Sequence, residues 1–213
     1  NGKCNVHIVK DVVFELNKLD YQGVIAFKST VEPGTTRKLQ EKYTDRTIAY
    51  VPEFLRERCA ITDFCEHHDL CVVGTDDTDV FELIKKAHGR YPQNIVQLSV
   101  TEAELVKYFN NVYAATLITF ANSFYEICEG LDVDYTSVKN AVVNRKHIMD
   151  QYLDCNENFR GFGGVCLPKD TRALNRLAKE LKTNSKFFHT ILKENERYDT
   201  TVFDGMREEN SDE

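Results

Sequence analysis

The sequence predicts an α/β protein: a partial parallel sheet with crossover helices over residues 1–100, then an all-helical portion over residues 101–205. Two observations carry this. Short apolar runs alternate with amphipathic stretches through the first portion, as strands joined by helical crossovers do. Then, from Thr101 to Glu129, Pro and Gly vanish and apolar residues recur at helical spacing, so one long helix replaces the strands.

Each element follows in order. Residues 6–19 space their apolar side chains as a helix, and GVIAFKS (23–29) is an apolar run suited to a buried strand. EPGTTRKLQEKY supplies a Pro-Gly turn and then a helix, and TIAYVPEF (47–54) a second strand stopped near Pro52. LCVVG (70–74) is a third strand, TDDTDVFELIKKAHGRY a helix with Asp and Thr capping candidates, and NIVQLSV (94–100) a fourth strand. The helix over 101–129 is expected to run for about 28 residues, or about 42 Å. Its broad stripe, including Leu105, Phe109, Tyr113 and Phe124, predicts cover on more than one side and a role as a subunit interface. DYTSVKNAVV, DTRALNRLAKEL and SKFFHTILKENERYDTTVFDGM predict further helices, and the acidic tail 206–213 is expected to be disordered.

Composition narrows the function classes. Hydrophobic residues at 42% and charged residues at 29% describe an ordinary globular chain. The net charge of -7 argues against nucleic acid as a partner, and no apolar run reaches the roughly 20 residues of a membrane span. The chain opens without Met and without a signal peptide, so its true N-terminus is expected upstream. Seven cysteines, an odd number without a CxxC pair, fit free thiols in a reducing, cytoplasmic compartment. Cys59, Cys65 and Cys71 flank His67 and His68. They read either as a loosely spaced metal set or, more plainly, as a buried strand residue (Cys71) and a loop residue (Cys65).

The chemistry concentrates in a few stretches. GFGGVCLPKD (161–170) puts Cys166 just ahead of a helix N-terminus and three residues from Lys169. Both features favour a thiolate, hence a nucleophile. The alternative is a buried cysteine in a tight glycine turn. Gly161, Gly163 and Gly164 let backbone N–H groups approach a ligand, and Asp170 could accept a proton from a water. Lys107 and Asn111 are four apart on the long helix and share a face; they fit either an oxyanion site or a solvated helix edge. PEFLRE (52–57) and KSTVEPGTT (28–36) each follow a strand. They place Glu53, Glu57, Ser29 and Thr30 at the carboxyl edge of the sheet, where α/β proteins bind ligands.

In order and spacing, KSTVEPGTT, PEFLRE, EAELVKYFNN and GFGGVCLPKD together resemble the nucleotide-sugar 6-dehydrogenase family, from about residue 6 to 200. The resemblance implies a partial Rossmann-like NAD-binding domain over 1–100 and a helical dimerisation domain over 101–205. It implies oxidation of a sugar C6 alcohol to a carboxylate, with NAD as cofactor and UDP-glucose as the default substrate, through a cysteine thiohemiacetal and thioester. By the same resemblance Cys166 is the nucleophile, Lys107 and Asn111 stabilise the oxyanion, Asp170 and Thr30 organise the water, and Glu53 is the base of hydrolysis. Ser29, Thr30, Val31, Glu57 and Lys169 would touch NAD. Glu53, Phe54, Leu55, Lys107, Asn111, His147, Gly161, Phe162 and Gly163 would contact the substrate. The helix 101–129 would form a homodimer.

Departures accompany the likeness. The GxGxxG turn that opens dinucleotide-binding sheets is absent, as is the family's C-terminal nucleotide-gripping domain. Arg58 replaces a glycine, His147 replaces a substrate-reaching arginine, and LDCNENFR before Gly161 is atypical. Two readings follow. One is an incomplete catalytic core, inactive alone and completed by further N- and C-terminal portions of the protein or by another chain. The other is a truncated, non-catalytic relative that acts as a dimerisation module.

Overall fold

In a computed structural model, residues 4–56 and 59–198 are described. The chain divides into two compact units, one over Cys4–Phe109 and one from Asn110 onward.

The first unit holds α1 (His7–Lys18), β1 (Val24–Phe27), α2 (Thr35–Lys42), β2 (Thr47–Tyr50), α3 (Ala60–Cys65), β3 (Leu70–Gly74), α4 (Thr78–His88), β4 (Asn94–Leu98) and the start of α5 (Val100–Gly130). The sheet order is β1-β2-β3-β4. Alternation along the central strands explains why both sheet faces are buried. Ile48, Tyr50 and Val72 point to one side, where α1 (Val9, Val13), α2 (Leu39) and α5 (Ala103) cover them. Ala49, Val51, Cys71 and Val73 point to the other, against Val80 and Ile84 of α4. Burial on both faces is why these strands read as continuous apolar runs. Asp77 caps α4 by accepting from the N–H groups of Asp79 and Val80.

The sheet is dominated by parallel pairs, as the sequence predicts, with one local departure. β1 pairs with β2, and β3 with β4, in parallel register. The central seam is a single antiparallel pair, Tyr50 with Gly74. Gly74 permits that close approach: a Cβ there would lie 2.7 Å from the Ala103 Cβ and 3.1 Å from the Tyr50 carbonyl oxygen.

The second unit continues α5 and adds α6 (Tyr135–Val142), α7 (Cys166–Glu180) and α8 (Phe187–Asn195). Its cores are Ala121, Cys128, Tyr135, Leu153 and Cys155, and Ala115, Phe162 and Ile191. The long helix is 31 residues, or about 46 Å. One stripe of it, Phe109, Tyr113, Phe120, Phe124 and Ile127, is exposed.

Three local expectations shift. α3 was not foreseen, and Cys65 closes that helix rather than lying in a loop. α7 begins at Cys166, four residues before the stretch that read as helical, so the cysteine is the first helical residue and not ahead of the helix. Pro168 is tolerated there because in a first helical turn its missing N–H sacrifices no bond. The acidic tail 206–213 lies outside the described residues.

Candidate active site

At the carboxyl ends of β1 and β2, Lys28 and Glu53 form an ion pair at 2.8 Å. Glu53 Oε1 also accepts from the N–H groups of Phe54 (2.9 Å) and Leu55 (3.0 Å). Burial by itself would raise the Glu53 carboxyl, but the Lys28 ammonium and these two N–H donors outweigh it and hold the group below the ordinary range. Glu53 is therefore a carboxylate at neutral pH, a third exposed and able to accept a proton from water. Lys107 donates to the Glu53 backbone carbonyl, and its ammonium lies 5.5 Å from the Phe54 ring centre. Ser29 is exposed and Thr30 half-buried, whereas the Val31 side chain is fully buried in the sheet core. Val31, expected on NAD, is thus wholly buried and offers a ligand no surface. Leu55 is half-buried.

Beneath this edge sits a residue the sequence reading missed. Glu104 is fully buried, one helical turn before Lys107. Its carboxylate accepts from the Gly34 N–H (2.5 Å), the Thr36 N–H (2.8 Å) and the Thr36 hydroxyl (2.6 Å). Gly34 stands at φ 89 as the N-cap of α2, with no side chain to cap the helix; Glu104 does so from 70 residues away. Burial pushes its carboxyl up, and the three hydrogen bonds only partly offset this. Lys28 was also missed, although it begins the KSTVEPGTT stretch.

In the second unit, Cys166 is the exposed first residue of α7. One turn on, Asp170 is fully buried. Asn111 Nδ2 donates to one of its oxygens at 2.6 Å and Lys169 Nζ to the other at 2.6 Å. Lys169, expected on NAD, is thus engaged with its neighbour, and Asp170 is held by two donors. Gly161 and Gly164 have φ 66 and φ 73, in the left-handed region that favours glycine. The Phe162 side chain is buried against Ala115, Ile191, Ile118 and Leu167, so it anchors the loop rather than meeting a ligand. His147 is exposed. Glu57 and Arg58 lie outside the described residues.

The three candidate metal cysteines do not share an environment. Cys71 is in the core, Cys65 is exposed, and Cys59 contacts Asp63 at 3.6 Å. Among the described residues, no three His, Cys, Asp or Glu side chains gather to hold a metal ion.

Comparison with known proteins gives this arrangement its context. Residues 1–91 match the NAD binding domain, and residues 101–197 the central domain, of the UDP-glucose/GDP-mannose dehydrogenase family. The chain belongs to that family. A UDP-glucose 6-dehydrogenase of Rickettsia bellii is 31% identical over 209 residues, which is 95% of this chain and 45% of the relative. A GDP-mannose 6-dehydrogenase of Pseudomonas putida is 29% identical over 208 residues, 92% of this chain and 47% of the relative. A solved UDP-glucose dehydrogenase from Pyrobaculum islandicum superposes with a TM-score of 0.82 at 31% identity, over 92% of this chain and 47% of that one. The chain therefore spans just under half the length of the relatives it matches.

The family's cofactor is NAD. The residues present fit one end of it. The carboxyl edge of β1 and β2 presents exposed Ser29 and half-buried Thr30, where ligand crevices of parallel sheets lie. A pyrophosphate needs a glycine-rich strand-to-helix turn, and the sequence contains no GxGxxG. Within this chain, then, the residues that could meet the cofactor lie at the carboxyl edge of β1 and β2.

Proposed function

We propose that this chain carries the covalent chemistry of an NAD-dependent, four-electron oxidation of a nucleotide sugar, with UDP-glucose going to UDP-glucuronate by default. The observation that carries the reading is Cys166: an exposed thiol at the first position of a helix, one turn from the buried Asn111–Asp170 pair. In the family match, the glycine loop and this cysteine fall in the central domain.

The overall reaction balances as alcohol, two NAD⁺ and water giving carboxylate, two NADH and three protons. When bound, NAD supplies the hydride acceptor, against Ser29 and Thr30 of the sheet edge. The Cys166 thiolate attacks the C6 aldehyde carbon; a C–S bond forms, and the carbonyl electron pair moves to oxygen. Lys107 and Asn111, four apart on α5, stabilise that oxyanion. Loss of hydride from the thiohemiacetal leaves a thioester. Water then adds, Glu53 takes its proton, and the C–S bond breaks to release carboxylate and thiolate. Thr30 and the Asn111–Asp170 pair orient this water, and the glycine loop at Gly163 contacts the sugar. Seven free cysteines suit a reducing, cytoplasmic setting.

The sequence contains no GxGxxG turn, so we expect no NADH formation from UDP-glucose by this chain alone. The exposed apolar stripe of α5 supports its use as a homodimer face, and a purely dimerising role is the second reading. The test is peptide mapping of iodoacetamide alkylation, with and without a UDP-hexose 6-aldehyde. We expect Cys166 to react faster than exposed Cys65 and the aldehyde to protect it. A Cys166 that is neither faster nor protected leaves only the dimerising role.

A further inference from the structure

Three glycines in four residues precede the thiol, and such a segment needs an external reference to hold Cys166 in one place. The structure supplies it from α8. Asn195, the last residue of that helix, accepts from the Phe162 N–H through Oδ1 at 2.6 Å. Its Nδ2 donates to the Phe162 carbonyl at 2.8 Å. One carboxamide thus occupies both backbone polar groups of a single loop residue.

The rest of the loop start is built around that contact. Asn122 of α5, fully buried, accepts from the Gly161 N–H at 3.0 Å and from Arg160 Nε at 2.6 Å. The Arg160 guanidinium stacks between the rings of Tyr125 and Tyr198, at 4.7 and 4.5 Å. At Gly161 a Cβ would lie 3.0 Å from Asn195 Oδ1, so the glycine admits the clamp. The Arg160 that looked atypical in sequence is part of this brace.

We propose that Asn195 is a positioning residue for Cys166. By fixing both backbone groups of Phe162, it sets the start of the glycine turn and thereby the placement of the thiol at the head of α7. Asn195 touches no reacting atom; it acts through the loop. The proposal rests on the reading of Cys166 as a nucleophile.

The experiment follows iodoacetamide alkylation of every cysteine in the full chain over a pH series, for the unaltered protein, Asn195→Ala and Asn195→Asp. Asn195→Asp keeps the acceptor for Phe162 N–H and loses the donor. Exposed Cys65 is the internal reference, and buried Cys128 and Cys155 report unfolding. In Asn195→Ala we expect the ratio of Cys166 to Cys65 at neutral pH to fall about threefold or more, with the Cys166 pH–rate profile displaced to higher pH. Asn195→Asp should fall between, and Cys128 and Cys155 should stay protected. If Asn195→Ala exposes those two cysteines, Asn195→Asp decides. A fast Cys166 whose lead and pH profile survive in a folded variant, while hydrogen exchange at the Phe162 amide rises, overturns the proposal alone. A Cys166 no faster than Cys65 in the unaltered chain sinks the nucleophile reading and the proposal with it.

Discussion

At the sheet edge, the loop 29–36 is held from inside by a carboxylate, Glu104, whose three donors come from Gly34 and Thr36. At the cysteine loop, the same task falls to two carboxamides, Asn122 and Asn195. The difference is one of charge. A buried carboxylate makes strong bonds to a helix N-terminus but carries a desolvation cost that changes with pH. A carboxamide can both donate and accept and does not titrate. The groups proposed to react follow a common rule in both regions: Glu53 and Cys166 reach solvent, while Glu104 and Asp170, which hold backbone or neighbours, do not.

The largest effect should come from the carboxylate brace. Glu104→Ala strands two N–H groups and a hydroxyl, and we expect it to lower stability by about 3 kcal/mol in urea unfolding. Asp170→Ala frees Asn111 and Lys169 and should cost about 2 kcal/mol by the same measurement. If Glu104→Ala proves the milder of the two, the ordering drawn here is wrong.

The two glutamates of the edge should respond to pH with opposite signs. Glu104 has a raised folded pKa, so its contribution is full below the ordinary carboxyl range and is lost as pH rises through the folded value. Glu53 has a lowered folded pKa, so its contribution is present above the ordinary range and is lost as pH falls through the folded value. Stability measured against pH in Glu104→Gln and Glu53→Gln should remove slopes of opposite sign; slopes of one sign would erase the contrast. Lys28→Ala should cost well under about 1 kcal/mol, because the ion pair is partly solvated. Cys166→Ser, at an exposed first helical position, should shift stability by less than about 0.5 kcal/mol while removing the fastest-alkylated site. A large loss there would mean the thiol is structural.

Much of this was legible in the sequence. The apolar runs at 47–50 and 70–74 marked central strands because strands buried on both faces have no polar side to show. The unbroken stretch after Thr101 marked α5 because nothing in it interrupts a helix. GFGGVCLPKD, with KSTVEPGTT, PEFLRE and EAELVKYFNN, carried the family likeness and the candidate residues.

Other features depended on groups far apart in the chain. Nothing local distinguishes Glu104 from Glu102, yet one is fully buried under α2 and the other bonds Ser99 at the surface. Asn195 lies 33 residues from the Phe162 it clamps. Val31 and Phe162 sit in motifs that suggested ligand contacts, but their side chains fill cores. Sequence alone determined the helix and strand periods and the residue types available for chemistry, since these depend on neighbours within a turn or two. Tertiary structure decided which polar side chains brace a loop and which meet solvent, because hydrogen-bond partners and burial are set by segments that meet only when the chain folds.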